Sequence, residues 1–554
     1  MAHFRSILGV ALLAGAAGSA LAGPAVARGS AATAAAVPQA DKNKLQAHIT
    51  FLADDVLEGR ETGTRGFDIA ASYVASQLRQ YGVAPKGAPG SYLQPVPLRV
   101  SRLVQGSQVF ELHGNGGKEA LVYLDDYAVG ASLVEERSEV SAPLVFAGYG
   151  IHAERFKHDD YAGLDVKGKI VVVLAGKPSS FPTEEGAHFG SARHKRELAL
   201  RLGALGMISV QTPVTEKVSP FARQRDNQNA AGMTWVDSSG KPVLETGLVQ
   251  NGASVSIAGA RKLFANVDAK LDEVYALAAA NRPVPKMDLN LSARLAKRSA
   301  LGQLSSHNVV GMIEGSDPVL KHEYVVYSAH LDHIGVIKEK RGDNVYNGAM
   351  DNASGVATLL EAARMFAETK KRPKRSVLFI ALTGEEKGLL GSDFFATNPT
   401  VPRGSIVANV NLDMPLLTFD FNNVVAFGAE HSSLKGIAER AVRKIGLSVQ
   451  NDPWPEQGSF TRSDQYSFVR QGIPAISIKT GTGSFRKDED PAKLWAAFRS
   501  THYHQPSDDL ALPFNFDAAA RFAQLNYLIA LEIANAPKRP VWNQGDFFGD
   551  TFAR

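Results

Sequence analysis

Apolar residues recur at helical spacing between Lys42 and Tyr81, and this predicts one helix near Lys44–Phe51 and another near Gly66–Tyr81. A loop rich in glycine and charge, Leu57–Gly66, separates them. From about Leu121 the texture changes to short apolar runs. Leu144–Phe146 leads into Gly148-Tyr149-Gly150, Lys169–Leu174 reads as a buried strand, His194–Gly203 as a helix and Met207–Val210 as a strand. Residues 130–270 therefore predict a small β-rich domain with a helix or two, an inserted scaffold or lid. From about Pro285 strands and helices alternate. Glu323–Ala329, Ser376–Leu382, Ile406–Leu412 and Ala475–Ile478 have strand character, while Ala353–Thr369, Ser433–Ile445 and Phe516–Ala536 have the helical period. That rhythm predicts an α/β fold, a mainly parallel mixed sheet flanked by helices, built from residues 40–129 and 271–554 around the inserted region.

The start of the chain reads differently. Arg5, the apolar run Ile7–Ala17 and the small-x-small pattern Ala20-Leu21-Ala22 predict an export segment, residues 1–22, cut after Ala22. Residues 23–39 follow as an alanine-rich disordered leader. The expected location is periplasmic or secreted, with no stable membrane anchor. The 554 residues are 44% hydrophobic and 21% charged, with a net charge of +4 that is not clustered, which argues against a nucleic-acid partner. The basic run Lys370–Arg375 lies between a predicted helix and strand and reads as a solvated loop. The chain has no cysteine, so disulfides and thiolate ligands are excluded, and any metal must be held by nitrogen and oxygen.

Five short segments carry acids and histidines, mostly just past predicted strands: His330-Leu331-Asp332, Asp351-Asn352, Glu385-Glu386, Asp413 and Tyr503-His504, the last followed by Asp508. Each has an ordinary reading: a loop histidine beside a solvated acid, a helix-capping Asp351, a surface acidic pair, a hydrogen-bonded Asp413. In open α/β sheets, however, functional groups gather beyond the carboxyl ends of the strands, where residues distant in sequence share one crevice. Taken together the segments offer two imidazoles and several carboxylates, a ligand set for two divalent cations with one glutamate left over as a base. Asp332 stands at the spacing where its carboxylate can take the other ring N–H of a metal-bound His330. Asp351 can place one oxygen on each of two metals. His333 is expected to point away as a bystander, His502 competes with His504 as the last ligand, and Asp508 is placed to orient the His504 ring.

With these segments in view, the chain resembles the cocatalytic zinc exopeptidases of metallopeptidase family M28, a group that includes bacterial aminopeptidases and glutamate carboxypeptidases. The resemblance covers about residues 40–110 and 285–540. Between them, Gly148-Tyr149-Gly150, Gly168-Lys169-Ile170-Val171 and Gly203-Ala204-Leu205-Gly206 look like a protease-associated domain. The resemblance implies two zinc ions, one on His330 and Asp413, the other on Glu386 and His504, with Asp351 bridging both. It places the general base at Glu385, the histidine-orienting acid at Asp332 and an oxyanion-steadying phenol at Tyr503. It also implies a cis peptide between Asp351 and Asn352. Manganese or cobalt suit the same ligand types. Two positions depart from the pattern: Met350 precedes the bridging acid, and Gln465 stands in Ser463-Asp464-Gln465 where histidine is frequent, with Asp464 a pocket candidate.

The implied activity is hydrolysis of N-terminal residues from peptides with a free amine. Alternatives are a glutamate-carboxypeptidase-like exopeptidase, which calls for a cationic pocket; a glutaminyl cyclase, which uses one zinc; and a binding module of the same fold, which lacks the metals. The segment Phe485–Ser500 is a candidate lid.

Overall fold

The computed structural model describes residues 37–114, 116–226, 228–244 and 251–553. The expected export segment, 1–22, and the leader up to residue 36 lie outside the described residues.

Helix α1 (Lys42–Leu52) starts at Asp41, whose carboxylate accepts from Asn43 N–H, and α2 (Arg65–Gln80) starts at Thr64, whose hydroxyl accepts from Phe67 N–H. Strand β1 (Leu93–Leu103) follows. The chain then builds a satellite layer from β2 (Val109–Gly114), β3 (Arg137–Ala147), β4 (Ile170–Leu174), the short helix α3 (Thr183–Gly190), β5 (Gly206–Val210) and β6 (Gly252–Val255). Strands β3, β4, β5 and β6 run parallel, with Leu144 opposite Ile170, Ile170 opposite Gly206 and Met207 opposite Gly252. Their core draws on residues from Phe110 to Leu295, including Phe146, Val172, Ile208 and Leu289.

Strand β7 (Lys286–Ile313) runs for 28 residues and belongs to both layers. Its first part pairs with β3, from Lys286–Ala147 to Arg298–Arg137, and its second with β1, from Ser299–Leu103 to Val309–Leu93. The main sheet continues with β8 (Tyr324–His330), helix α4 (Ser354–Glu368), β9 (Ser376–Leu382), β10 (Ile406–Leu412), β11 (Asn423–Phe427) and β12 (Ala475–Thr480). Its spatial order is β1-β7-β9-β8-β10-β12-β11, and β9, β8, β10 and β12 are parallel.

Every residue of β8, β9 and β10 is buried, which explains their unbroken apolar runs: helices cover both faces of a parallel sheet. Helix α4 goes further than an amphipathic surface helix. It is buried from Ser354 to Phe366 because α1 and α6 (Phe516–Asn535) both pack on it. Helix α5 (Pro491–Thr501) precedes α6, and a short helix, α7 (Phe547–Phe552), follows it. Among the described residues no helix is long and apolar enough to cross a membrane.

Candidate metal centre

Strands β9, β8 and β10 lie side by side and parallel, so their carboxyl ends deliver Glu385 and Glu386, His330, and Asp413 to one place. Asp351 comes from the turn before α4. That turn is not a cap, since α4 begins at Ser354 without a side-chain cap, so the capping reading of Asp351 does not hold. The Asp351–Asn352 peptide is cis. Asn352 Nδ2 donates to Leu412 O at 2.9 Å, and its Oδ1 accepts from Met414 N–H at 3.0 Å, which ties the turn to the end of β10. Met350, the departure noted in the sequence, is fully buried and turns its sulfur toward Leu417 N–H.

The donor atoms form two linked groups. His330 Nε2 lies 3.2 Å from Asp351 Oδ1 and 3.7 Å from Asp413 Oδ1. His504 Nε2 lies 3.4 Å from the other oxygen of Asp351 and 3.2 Å from Glu386 Oε2. Ligand atoms held tetrahedrally around zinc at its usual bond lengths stand about 3.3 Å apart, so these gaps match the edges of two coordination shells sharing Asp351. The chemistry agrees. Four carboxylates, Asp351, Glu385, Glu386 and Asp413, converge here, and Asp351 and Asp413 are nearly closed to solvent, an arrangement that burial penalises unless cations join it. The residues fit two divalent ions.

The acids are not equivalent. Burial raises the Glu385 carboxyl, and Glu386 and Asp413 push it the same way; His330 opposes them, yet the group sits well above the usual carboxylate range. Burial also works against Glu386, but His504 and His333 outweigh it and hold Glu386 well below that range. Asp351 is likewise held low, against its burial, by His330 and His504. Environments that push neighbouring carboxyls apart separate proton carrier from ligand.

Three expectations need correction. Asp332 does not meet the His330 ring with its carboxylate. Its carboxylate accepts from the N–H groups of Glu385 at 3.1 Å and Glu386 at 3.2 Å, and its backbone carbonyl faces His330 Nδ1 at 3.1 Å. The Glu385 and Glu386 amides take up the carboxylate, and the carbonyl is left to face the ring. Asp508 does not orient His504. It accepts from Met350 N–H at 2.8 Å and Asp351 N–H at 3.0 Å, and so fixes the bridging turn. His333 is no bystander: it is fully buried and its Nδ1 lies 2.8 Å from Glu386 Oε1, because the turn after β8 swings it back toward the centre. Two histidines three apart beyond a strand end were the signal for it.

His504 is brought to the centre in a left-handed conformation (φ 56°), whereas His502 Nδ1 lies 2.9 Å from Ser507 O, outside the centre. Tyr503 stacks on His504 with ring centroids 3.9 Å apart, and Arg462 Nη2 donates to its hydroxyl at 3.2 Å. Lys479 Nζ lies 3.7 Å from Asp413 Oδ1. Asp464 is fully buried, and burial pushes its carboxyl up to about 7.

Above the centre opens a cavity of about 620 Å³ whose wall includes Asp351, Glu385, Asp413, Tyr503 and His504. Trp454 and Trp495 line it, with the Arg499 guanidinium 3.8 Å from the Trp454 ring centre. Trp495, Arg499 and Ser500 come from α5, so part of the candidate lid borders the cavity; Phe485 is 51% exposed outside it. The segment Lys217–Gln224, reached from β5, also contributes to this wall through Lys217, Val218, Ser219, Pro220, Arg223 and Gln224.

Comparison with known proteins agrees with this geometry. A "Probable zinc metalloprotease" of Pyricularia oryzae is 29% identical over 264 residues, covering 42% of this chain and 50% of that protein. A "Probable leucine aminopeptidase 2" of Aspergillus fumigatus is 26% identical over 231 residues, 40% of this chain and 43% of that protein. The chain thus spans half or less of the length of these curated relatives. The solved aminopeptidase of Aneurinibacillus sp. strain AM-1 shares the fold with a TM-score of 0.50 at 20% identity, over 91% of this chain and 96% of that one. Residues 308–529 match Peptidase family M28. That interval contains His330, Asp351, Glu385, Glu386, Asp413 and His504.

Proposed function

We propose that this chain is an exported dinuclear zinc aminopeptidase that removes N-terminal residues from peptides. The observation that carries the reading is the placement of Asp351, with one oxygen toward each of two histidines that belong to separate ligand groups. His330 and Asp413 would hold one ion, Glu386 and His504 the other, and Asp351 both. Two divalent cations supply an acidified water and a polarised scissile carbonyl. Glu385, the carboxyl that burial and the neighbouring acids push upward, takes a proton from the attacking water and delivers it to the leaving amine. Tyr503, its hydroxyl at the cavity wall, donates to the oxyanion. The free α-amine of the substrate sits near the carboxylates left over from metal binding. Asp332 acts one step back, on the backbone that presents Glu385 and Glu386. The satellite layer corresponds to an inserted domain of protease-associated type, centred on residues 130–270, that lends the Lys217–Gln224 wall.

The decisive variant is Glu385→Gln. It is expected to keep its zinc, seen by metal analysis, and to lose turnover by roughly 10²- to 10⁴-fold. Near-wild-type turnover with zinc bound would reject Glu385 as the base. A panel of aminoacyl-anilides with and without chelator tests the activity. Counting metals separates this reading from a one-zinc cyclase, and retained function without metal would favour a binding module.

One observation favours a second reading, a glutamate-carboxypeptidase-like exopeptidase. Arg223, Arg462 and Arg499 border the cavity, and none of them forms an ion pair among the described residues, while Lys479 stands beside Asp413. Cations so placed suit a substrate carboxylate. A free-amine p-nitroanilide compared with an N-blocked acidic dipeptide separates the two.

A further inference from the structure

The glycine- and charge-rich loop between α1 and α2 contains an arginine that takes no part in the proposed chemistry. Arg60 is 1% exposed, and among the described residues it forms no ion pair. Its guanidinium is spent on backbone carbonyls instead. Nε donates to Leu331 O at 2.9 Å, Nη1 to Asn347 O at 2.6 Å and also to Leu52 O, and Nη2 to Gly348 O at 3.1 Å. Leu331 lies between His330 and Asp332. Asn347 and Gly348 open the turn that carries Asp351. One rigid planar group therefore spans the two segments that supply a ligand of the first ion and the ligand common to both.

The rest of the loop is built to hold that group in place. Glu58, Gly59 and Arg60 all have positive φ, at 49°, 64° and 51°. A Cβ on Gly59 would stand 2.3 Å from Tyr346 O, so the backbone passes too close for any other residue. Arg60 O accepts from His333 N–H at 3.3 Å, and Glu61 pairs with Lys387 at 2.9 Å, next to Glu386. The loop thus reaches the turns that carry the His330, Asp351 and Glu386 ligands.

Charge points the same way. Burial pushes the guanidinium down to about 10, while Asp508, Asp332, Asp351 and Glu386 push it back up. An arginine in a protein stays protonated, so the carboxylates keep a permanent cation beside them, one that does not line the cavity.

We infer that Arg60 is a positioning residue for the metal centre: it fixes the separation of the His330 and Asp351 segments and so sets how tightly the two ions are held. This rests on the dinuclear reading above. The test is titration of zinc into chelator-stripped wild-type protein, Arg60→Lys and Arg60→Met, by calorimetry and by competition with a chelator of known affinity, alongside thermal melting of the stripped proteins. Two zinc ions on the wild type are the requirement of the dinuclear reading; a different count overturns that reading, whatever Arg60 does. Given two sites, Arg60→Lys keeps a cation but cannot span four carbonyls. It is expected to bind zinc at least tenfold more weakly in stripped protein that still folds, with the carbonyls it leaves unpaired lowering the melting temperature somewhat. The inference is overturned if both zinc affinities of Arg60→Lys stay within twofold of wild type, and equally if melting falls while zinc affinity does not. Should Arg60→Met fail to fold, the lysine variant decides alone.

Discussion

The main sheet and the satellite layer are built alike and end differently. In both, a run of parallel strands is buried on both faces, as in Tyr324–His330 of β8 and Ile170–Leu174 of β4. At the carboxyl ends of the main strands stand His330, Glu385, Glu386 and Asp413. At those of the satellite strands stand Gly148, Ala175 and Gly176, Gln211 and Thr212, and Ser256. Where the main layer gathers carboxylates, the satellite layer buries a lysine: Lys195 Nζ donates to Leu174 O at 2.9 Å and Gly176 O at 2.5 Å, and burial pushes it down to about 7. Among the described residues two sets of donors stand close enough to hold a metal, His330 with Asp351 and Asp413, and His333 with Asp351 and Glu386, and both belong to the main layer. Strand ends create an opportunity, and residue type decides whether it becomes a site.

The sharpest way to break this contrast is Asp351→Asn. The amide cannot supply one anionic oxygen to each ion, so zinc per chain is expected to fall below two and turnover to vanish, both read by metal analysis and anilide assay. Two tightly held zinc ions in this variant would remove Asp351 from the bridge. The converse probe lies in the satellite core. Leu289 is fully buried there, and Leu289→Ala is expected to cost about 3 kcal/mol of stability in urea unfolding while the zinc content of the folded protein stays unchanged. Zinc lost in proportion would mean that the two layers are not separable in this sense.

Much of the centre could be read from the chain because parallel strands buried on both faces leave unbroken apolar runs, and each run ends at a polar residue whose type is informative. His330, Glu385, Glu386 and Asp413 follow from that pattern, and Asp351 and His504 from the company they keep. What could not be read depends on turn torsions. Asp332 offers a carbonyl and a carboxylate, and only the turn after β8 decides which one faces His330. Asp508 stabilises the bridging turn from 157 residues away, and no local pattern announces such a partner. The loop holding Arg60 was visible as an oddity of composition, yet its meaning lies in carbonyls that belong to distant segments. The 28-residue strand β7 was not anticipated, although Leu289, Leu291, Ala293 and Leu295 alternate with more exposed residues and the strand ends in the apolar run Val309–Ile313.

His333 tests the reading of turns directly. Its Nδ1 stands 2.8 Å from Glu386 Oε1, a close contact without hydrogen-bond geometry, on a carboxylate whose other oxygen faces His504. Partners of this kind contribute roughly 10- to 100-fold to metal affinity. His333→Gln is expected to weaken one zinc by that amount and leave the other nearly unchanged, as read by chelator competition. Equal weakening of both would assign His333 to the centre as a whole.

The last probe concerns the joint between the layers. His431, just past β11, places Nδ1 2.6 Å from Asp546 at the start of α7 and Nε2 2.7 Å from Glu184 in α3, the helix that follows satellite strand β4. Burial lowers the imidazole pKa, but the bonds to Asp546 and Glu184 outweigh it and hold it at about 10. In the unfolded chain a histidine titrates near pH 6.5. The folded state therefore keeps a proton that the unfolded state releases between these values. The stabilisation is complete below about pH 6.5 and is lost as pH rises through 10, at up to about 1.4 kcal/mol per pH unit. His431→Gln cannot carry that charge. Urea unfolding of both proteins at several pH values across this window should show the wild-type advantage shrinking steadily upward. Parallel stability curves would mean that the imidazole is neutral in the folded protein, and that the layers are joined here by packing against Phe460 and Phe548 alone.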